Sequence, residues 1–312
     1  MKLLVTGGNG FLGAAVARAL VARGDAVVVF DNRAAGGAVR GRSEIVGDIA
    51  DAGAVARALR DHRPDGVIHC AAIVGVLPSL GHPAGVVRVN IEGALNVFEA
   101  MRHAGVKRCI HISSEEVYGP FQADRIDEAH VVEPVLPYGI CKAAVERLGR
   151  SYRDMYGLDV IHLRTSWVYG PGLPRDRVPK NMIESALARR PLHLPSGASS
   201  AIDHTYVDDA VSAVLAAFDH RVHSYDVYNV ASGSAVTIAA IAEIVRELLP
   251  GAVLTVGPGP YRHGDRIDVV RKGALDVARA AREFGWRPQY DIRSGLAAYV
   301  KTMQADRSAA EQ

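Results

Sequence analysis

The chain has 312 residues, 49% of them hydrophobic and 22% charged, and Lys+Arg 36 nearly balance Asp+Glu 34 for a formal net charge of +2. That is enough apolar chain for a large dry core and too little net charge to steer toward nucleic acid or an anionic membrane surface, so the expected partner is a small molecule. Cys70, Cys109 and Cys141 lack CxxC spacing and sit in apolar contexts, and no apolar run approaches a membrane span. These features predict reduced thiols and a cytoplasmic protein.

In chain order, short β-branched runs alternate with amphipathic stretches. LLVT (3 to 6) leads into a helix from about Phe11 to Arg23, followed by AVVVF (26 to 30), EIVGD (44 to 48) and a helix from about Ala52 to His62. GVIHC (66 to 70), a long helix near Val86 to His103, KRCIHIS (107 to 113), a helix near Tyr138 to Tyr156 and DVIHLRT (159 to 165) continue the alternation. This is the βαβ period of a doubly wound parallel α/β sheet, a Rossmann core, and strands apolar on both faces fit helices on both sides. From about Tyr169 the texture turns loop-rich, with helices near Pro179 to Arg189 and Thr237 to Leu249. The segment 205 to 218 reads as helical and DVYNV (226 to 230) as a strand returning to the sheet. The expected division is therefore residues 1–168 for the dinucleotide-binding domain, with its sheet completed by about 205–231, and 169–312 mainly for a substrate-binding lobe. ADRSAAEQ at the end reads as a frayed tail.

The motif Thr6-Gly7-Gly8-Asn9-Gly10-Phe11-Leu12-Gly13 closes the first strand and opens the first helix. Glycines at 7, 10 and 13 permit a tight turn and close approach of backbone N–H groups to a pyrophosphate. Asp31 ends the second strand, where a carboxylate accepts ribose hydroxyls and repels a 2′-phosphate, which predicts NAD over NADP. Arg33 nearby reads as a solvated arginine. Tyr138 and Lys142 stand in i,i+4 relation on one helix face, behind Pro137 at the helix start and HISSEEVYG (111 to 119) at a strand end. A tyrosine acts as a base near neutral pH only if a neighbouring positive charge stabilises its phenolate. The alternative for this pair is a surface i,i+4 contact.

TGGNGFLG (6 to 13) resembles the TGxxGxxG fingerprint of the extended short-chain dehydrogenase/reductase family, which includes NAD-dependent nucleotide-sugar epimerases, dehydratases and decarboxylases. The resemblance runs nearly end to end. It implies that Phe11, Leu12 and Asn32 join the cofactor site, that Asp48 and Ile49 meet the adenine, and that HCAA (69 to 72) lines the cofactor through Cys70, Ala71 and Ala72. It also implies that Asn90 in VNIEGALN lies on the nicotinamide side, that Ser113 and Thr165 touch cofactor, and that Ser114 is the catalytic hydroxyl beside Tyr138 and Lys142. Taken singly, Asp48 reads equally as a strand-end cap and Asn90 as a helix polar residue.

Glu115 and Glu116 align with Asp-Glu in the STDEVYG of dTDP-glucose 4,6-dehydratases, whereas many 4-epimerases carry small residues there. One carboxylate beside a transient ketone can take the neighbouring acidic C–H, and a protonated second one can donate to a leaving hydroxide. The alternative is a pair of loop acids facing water. Trp167 in LRTSWVYGP stands where family epimerases place a phosphate-contacting Asn, and Ile202 replaces an arginine of theirs. RTSWVYG is instead similar to dTDP-4-keto-rhamnose reductases. Arg262 in RHGD, and Lys180 or Asn181 in RVPKN, are the remaining candidates to hold a diphosphate or carboxylate; each alone reads as a solvated side chain. The twelve histidines lack metal-ligand spacing, so no metal is implied and His62, His69 and His111 read as ordinary polar positions. The reading is an NAD-dependent epimerase of a nucleotide-activated sugar. Dehydration or decarboxylation through Glu115 and Glu116, net sugar dehydrogenase or reductase activity, and a non-catalytic NAD-binding regulator are its rivals. A homodimer paired through the helices bearing Asn90 and Tyr138 follows from the resemblance.

Overall fold

A computed structural model describes residues 1–35, 41–263 and 267–310. Its elements are β1 (Lys2–Thr6), α1 (Phe11–Ala22), β2 (Ala26–Asp31), β3 (Arg42–Val46), α2 (Ala52–His62), β4 (Gly66–His69), α3 (Val76–Gly81), α4 (Pro83–Val87) and α5 (Gly93–Ala104). They continue as β5 (Arg108–Ser114), β6 (Arg125–Ile126), α6 (Pro137–Tyr156), β7 (Asp159–Thr165), β8 (Trp167–Tyr169), α7 (Lys180–Leu187), β9 (Leu192–Leu194), β10 (Ala201–Tyr206), α8 (Val207–Asp219) and β11 (Val227–Val230). β12 (Ala235–Thr237) and α9 (Ile238–Leu248) come next, and later the chain forms α10 (Ala278–Phe284) and α11 (Ile292–Ala310). Seven strands pair in parallel in the order β11-β7-β5-β4-β1-β2-β3. The order reverses beside β1, and in such a sheet ligands bind outside the carboxyl ends at that switch point. The fold is the doubly wound, Rossmann-like sheet that the alternation predicts.

β2 is buried from Val27 to Asp31, and its valines contact helices on both faces: Val27 and Val29 belong to the cluster under α1 and α8, Val28 to the one under α2 and α5. Burying each such side chain contributes roughly 1.5–3 kcal/mol. Asp51 caps α2 by accepting the Ala54 N–H, and Gly105 and Gly157, in the left-handed region, end α5 and α6.

Four expectations are corrected. β3 stops at Val46, because Asp48 turns back to accept the Ala50 N–H at 2.9 Å. The long helix near Val86 to His103 is broken by a π-helical turn, Arg88–Glu92, between α4 and α5. Thr205 and Tyr206 belong to β10, paired with Val168 and Tyr169, so the helix begins at Val207. The supposed tail is helical through Ala310, within α11. Among the described residues no helix is long and apolar enough to cross a membrane.

Candidate active site

The carboxyl ends of the strands open into a cavity of about 430 Å³. Its far wall is the turn from β1 into α1. Gly7 has φ +68, and a Cβ on Gly13 would stand 2.1 Å from the Gly7 carbonyl oxygen, so a side chain at either position would close the cradle. No side chain caps α1, and Gly10, Phe11, Leu12 and Gly13 line the cavity with the helix N-terminus open to it. These residues fit a dinucleotide pyrophosphate. Asp31 lines the cavity at the end of β2, with Asn32 and Arg33 exposed at the rim. Its carboxylate already accepts the Asn9 and Arg33 N–H groups, both at 3.0 Å, which fixes its rotamer and leaves lone pairs for ribose hydroxyls. Asp31→Ala is therefore expected to narrow the preference for NAD over NADP by about tenfold or more, roughly 1.4 kcal/mol, in calorimetric titrations. An unchanged preference would remove Asp31 from that role. Asp48, Ile49, Cys70, Ala71, Ala72 and Thr165 also line this cavity. The Cys70 thiol, pushed up to about 12 by burial, is inert, and all three cysteines are free.

The opposite wall carries the hydride-transfer candidates. Ser114 ends β5 and Tyr138 and Lys142 share a face of α6, started by Pro137; all three line the cavity. Lys142 Nζ donates to the Ile112 carbonyl at 2.6 Å and lies 5.9 Å from the Tyr138 ring centroid. Burial pushes the Tyr138 phenol up to about 12, against the nearby Arg175 charge and a hydrogen bond with Ser114. Burial also brings the Lys142 ammonium down to about 8. A buried phenol of this kind needs added positive charge before it can act as a base.

Glu115 and Glu116 do not face water. They form the turn after β5, line the cavity, and meet Lys272, whose side chain is 1% exposed and whose Nζ lies 3.2 Å from Glu116 Oε2 and 3.8 Å from Glu115 Oε1. Burial pushes Glu115 up to about 7, with the Glu116 charge adding to it, although Lys272 opposes. Burial would raise Glu116 as well, but the Lys272 ammonium, its hydrogen bond and the Arg177 and His263 charges together more than offset it and hold that carboxyl below its usual range. Two neighbouring carboxyls are thus pushed apart, one toward an acid and one toward a base. Beside them Arg177 lies 3.4 Å over the Trp167 ring, and Arg175 donates to the Val74 carbonyl at 2.8 Å. Both arginines and Trp167 line the cavity, and the Trp167 indole N–H is buried without a partner among the described residues.

The sequence profile of the NAD dependent epimerase/dehydratase family matches residues 3–231. The chain belongs to that family. It is 32% identical over 315 residues to a UDP-glucose 4-epimerase of Mycolicibacterium smegmatis, covering 96% of this chain and 98% of that one. It is 30% identical over 325 residues to a dTDP-glucose 4,6-dehydratase of Xanthomonas campestris, covering 95% and 91%. The solved structure of a Thermotoga maritima UDP-glucose 4-epimerase with UDP-glucose superposes with a TM-score of 0.90 at 30% identity, covering 98% of this chain and all 100% of that one. This chain is accordingly an enzyme of an NAD-dependent family of extended short-chain dehydrogenases.

For this member of the epimerase/dehydratase family, five expected site residues are placed elsewhere. Ser113 Oγ donates to Glu146 Oε1 at 2.6 Å, where it braces the Glu146–Arg164 ion pair, and Ser113 does not line the cavity. Asn90 is buried against the backbone of Ile73, accepting its N–H at 2.8 Å and donating to its carbonyl at 3.0 Å; it holds a cavity loop and does not line the cavity. Asn181 Oδ1 accepts the Arg177 N–H at 2.9 Å, and so positions the arginine that does reach the cavity. Lys180 pairs with Asp176 at 3.3 Å and Glu184 at 3.7 Å, and Arg262 pairs with Asp268 at 2.9 Å; neither lines the cavity. The Gly264-Asp265 half of RHGD lies outside the described residues. Arg175, Arg177, Ser166 and Lys272 line or adjoin the site without having been expected there, although Arg177 opens the RVPKN stretch and Ser166 lies within RTSWVYG. Arg175 was visible only as a charge in the loop GPGLPRDR.

Proposed function

We propose that this enzyme is an epimerase of a nucleotide-activated sugar, oxidising one hydroxyl to a ketone and reducing it again from the other face in the same turnover. One observation carries the reading: Ser114, Tyr138 and Lys142 open onto the same cavity as the glycine cradle. NAD, when bound, supplies acceptance and return of the hydride. Ser114 would orient the reacting oxygen, Tyr138 would take and give back its proton, and Lys142 would supply the positive charge that the buried phenol requires. Arg175 and Arg177 are the groups suited to a diphosphate, and the epimerase relatives of M. smegmatis and T. maritima support a nucleotide-linked substrate. Val87 and Ile140 are exposed on α4 and α6, which supports pairing of two copies through that face; sedimentation velocity reads it.

A second reading, elimination of water or carbon dioxide, is favoured by the buried Glu115, Glu116 and Lys272. The test is to incubate the NAD-loaded enzyme with UDP-, dTDP-, GDP- and CDP-sugars and sugar acids and follow products by mass and NMR. An unchanged mass supports epimerisation, loss of water or carbon dioxide supports the second reading, and steady release of NADH overturns both in favour of net redox. Glu116→Gln separates the two further. Epimerisation breaks no C–H beside the ketone, so the variant is expected to keep kcat within about tenfold and no solvent deuterium should enter the product. A dead variant that accumulates reduced cofactor, together with stoichiometric label in the wild-type product, would establish elimination.

A further inference from the structure

Beneath Lys142 the sheet carries a row of imidazoles that this chemistry leaves unused. Register places Thr6 beside His69, His69 beside His111 and His111 beside His162, on the four adjacent strands β1, β4, β5 and β7. Residues in register share a face of the sheet, so their side chains form one continuous rung. Thr6 Oγ1 lies 2.7 Å from His69 Nδ1, the His69 and His111 rings stack at 5.6 Å, and His111 Nδ1 lies 2.9 Å from His162 Nδ1. Lys142 joins from α6, with Nζ 3.4 Å from His111 Nε2. All three histidines are buried.

The donors dictate where the protons sit. An ammonium accepts nothing, so His111 Nε2 must accept from Lys142 and carry no proton. The proton of neutral His111 is then on Nδ1 and is donated to His162 Nδ1, which leaves His162 protonated on Nε2. Burial keeps the rung uncharged: it pushes His69 down to about 3, His162 down to about 4, and His111 well below its ordinary value. His162 Nε2 is pressed against Gly149, where a Cβ would stand 2.5 Å away, and has no hydrogen-bond partner among the described residues. A fixed, neutral acceptor is what the arrangement provides.

We propose that His111 is a positioning residue for Lys142 and that His162, by locking the His111 tautomer, is a second. The Ile112 carbonyl and His111 Nε2 take two of the three N–H directions and leave one for the cavity that Lys142 lines. The other groups around Nζ are Cys70 at the end of β4, His69, the Tyr138 ring, and Cys141 and Glu146 on its own helix. Both thiols are raised and neutral, and the Glu146 carboxylate is held by Arg164 and Ser113. The role rests on Lys142 acting at the hydride-transfer site.

The test uses the NAD-loaded enzyme with ¹⁵N-labelled histidine. His111 is expected as the Nδ1–H tautomer and His162 as the Nε2–H tautomer, both unchanged from about pH 6 to about pH 7, where Lys142 keeps its proton. A proton on His111 Nε2, or titration of His111 in that window, overturns the proposal. Kinetics give a second reading, because a glutamine amide can reach the Nε2 position whereas an asparagine amide reaches only Nδ1. His111→Gln should keep kcat within about threefold. His111→Asn should lose about tenfold or more at unchanged KM, with the alkaline limb of the kcat profile moving down by about one unit, since removing an acceptor disfavours the ammonium. Equal losses in the two variants overturn the proposal. If neither folds, His162→Asn, which retains an acceptor facing Nδ1, should leave that limb in place while His162→Leu lowers it; identical profiles overturn the proposal. Lys142→Met keeps the two levels apart: wild-type turnover in that variant overturns the hydride-site reading and with it this role, whereas the wrong tautomers overturn the proposal with that reading intact.

Discussion

Tyr138→Phe is expected to lower kcat by roughly 10² to 10⁴ while NAD binding and KM change little. The substitution deletes one oxygen from a side chain 7% exposed and keeps the ring that packs beneath Lys142, so its structural cost is confined to the hydrogen bond with Ser114. On the proposed mechanism, what is lost is the group that would relay the proton as the hydride moves. Burial has pushed that phenol up to about 12 and the Lys142 ammonium down to about 8, so on the proposed mechanism a charged Lys142 would work against its own burial to lower the barrier to phenolate formation. Turnover of the wild type is correspondingly expected to decline above about pH 8 as Lys142 loses its proton. Single-turnover kinetics on a substrate found in the product screen, with cofactor content measured on the same sample, provide the check. A Tyr138→Phe enzyme with wild-type kcat would remove the phenol from the mechanism.

The sequence made legible those features that local physics decides. Unbroken apolar runs such as AVVVF announce strands covered on both faces, and the glycines at 7 and 13 announce a turn that nothing larger can make. The fold class, the cofactor cradle and the i,i+4 pair of α6 follow from a few neighbouring residues each. Features decided by a distant partner were not legible. Ser113 points at Glu146, Arg262 at Asp268 and Asn90 at Ile73, and no motif carries those distances. The burial of Glu115 and Glu116 depends on Lys272, far along the chain in a stretch with no catalytic signature. His69, His111 and His162 read as scattered polar positions because their relation is one of register across β4, β5 and β7, invisible along any single strand.

Lys272→Met should be strongly destabilising, and the loss should depend on pH. Methionine preserves the apolar stem but removes the cation that meets both Glu115 and Glu116. Breaking a buried ion pair by removing one partner typically costs about 3–5 kcal/mol. In the wild type, Glu116 is held below its ordinary 4.5, so its favourable contribution is present above that value and lost as pH falls through the folded one. Glu115 is raised to about 7, so it subtracts stability above 4.5, increasingly up to about 7. Lys272 is itself raised by the two glutamates against its burial, and its contribution holds below 10.5 and is lost only as pH rises through the folded value. Without Lys272 both carboxyls are raised and the folded variant must keep them protonated, which is difficult at about pH 8 and easy near pH 5. Urea unfolding of the two proteins, at matched NAD saturation, should therefore show a wide gap at the higher pH that narrows at the lower one. Adding Glu116→Gln to Lys272→Met should recover much of the lost stability at the higher pH, because it removes one of the stranded charges. A gap of equal size at both pH values, unrelieved by the second substitution, would mean that Lys272 serves the packing around Phe121, 5.4 Å from its Nζ, and not the charge balance of the acid pair.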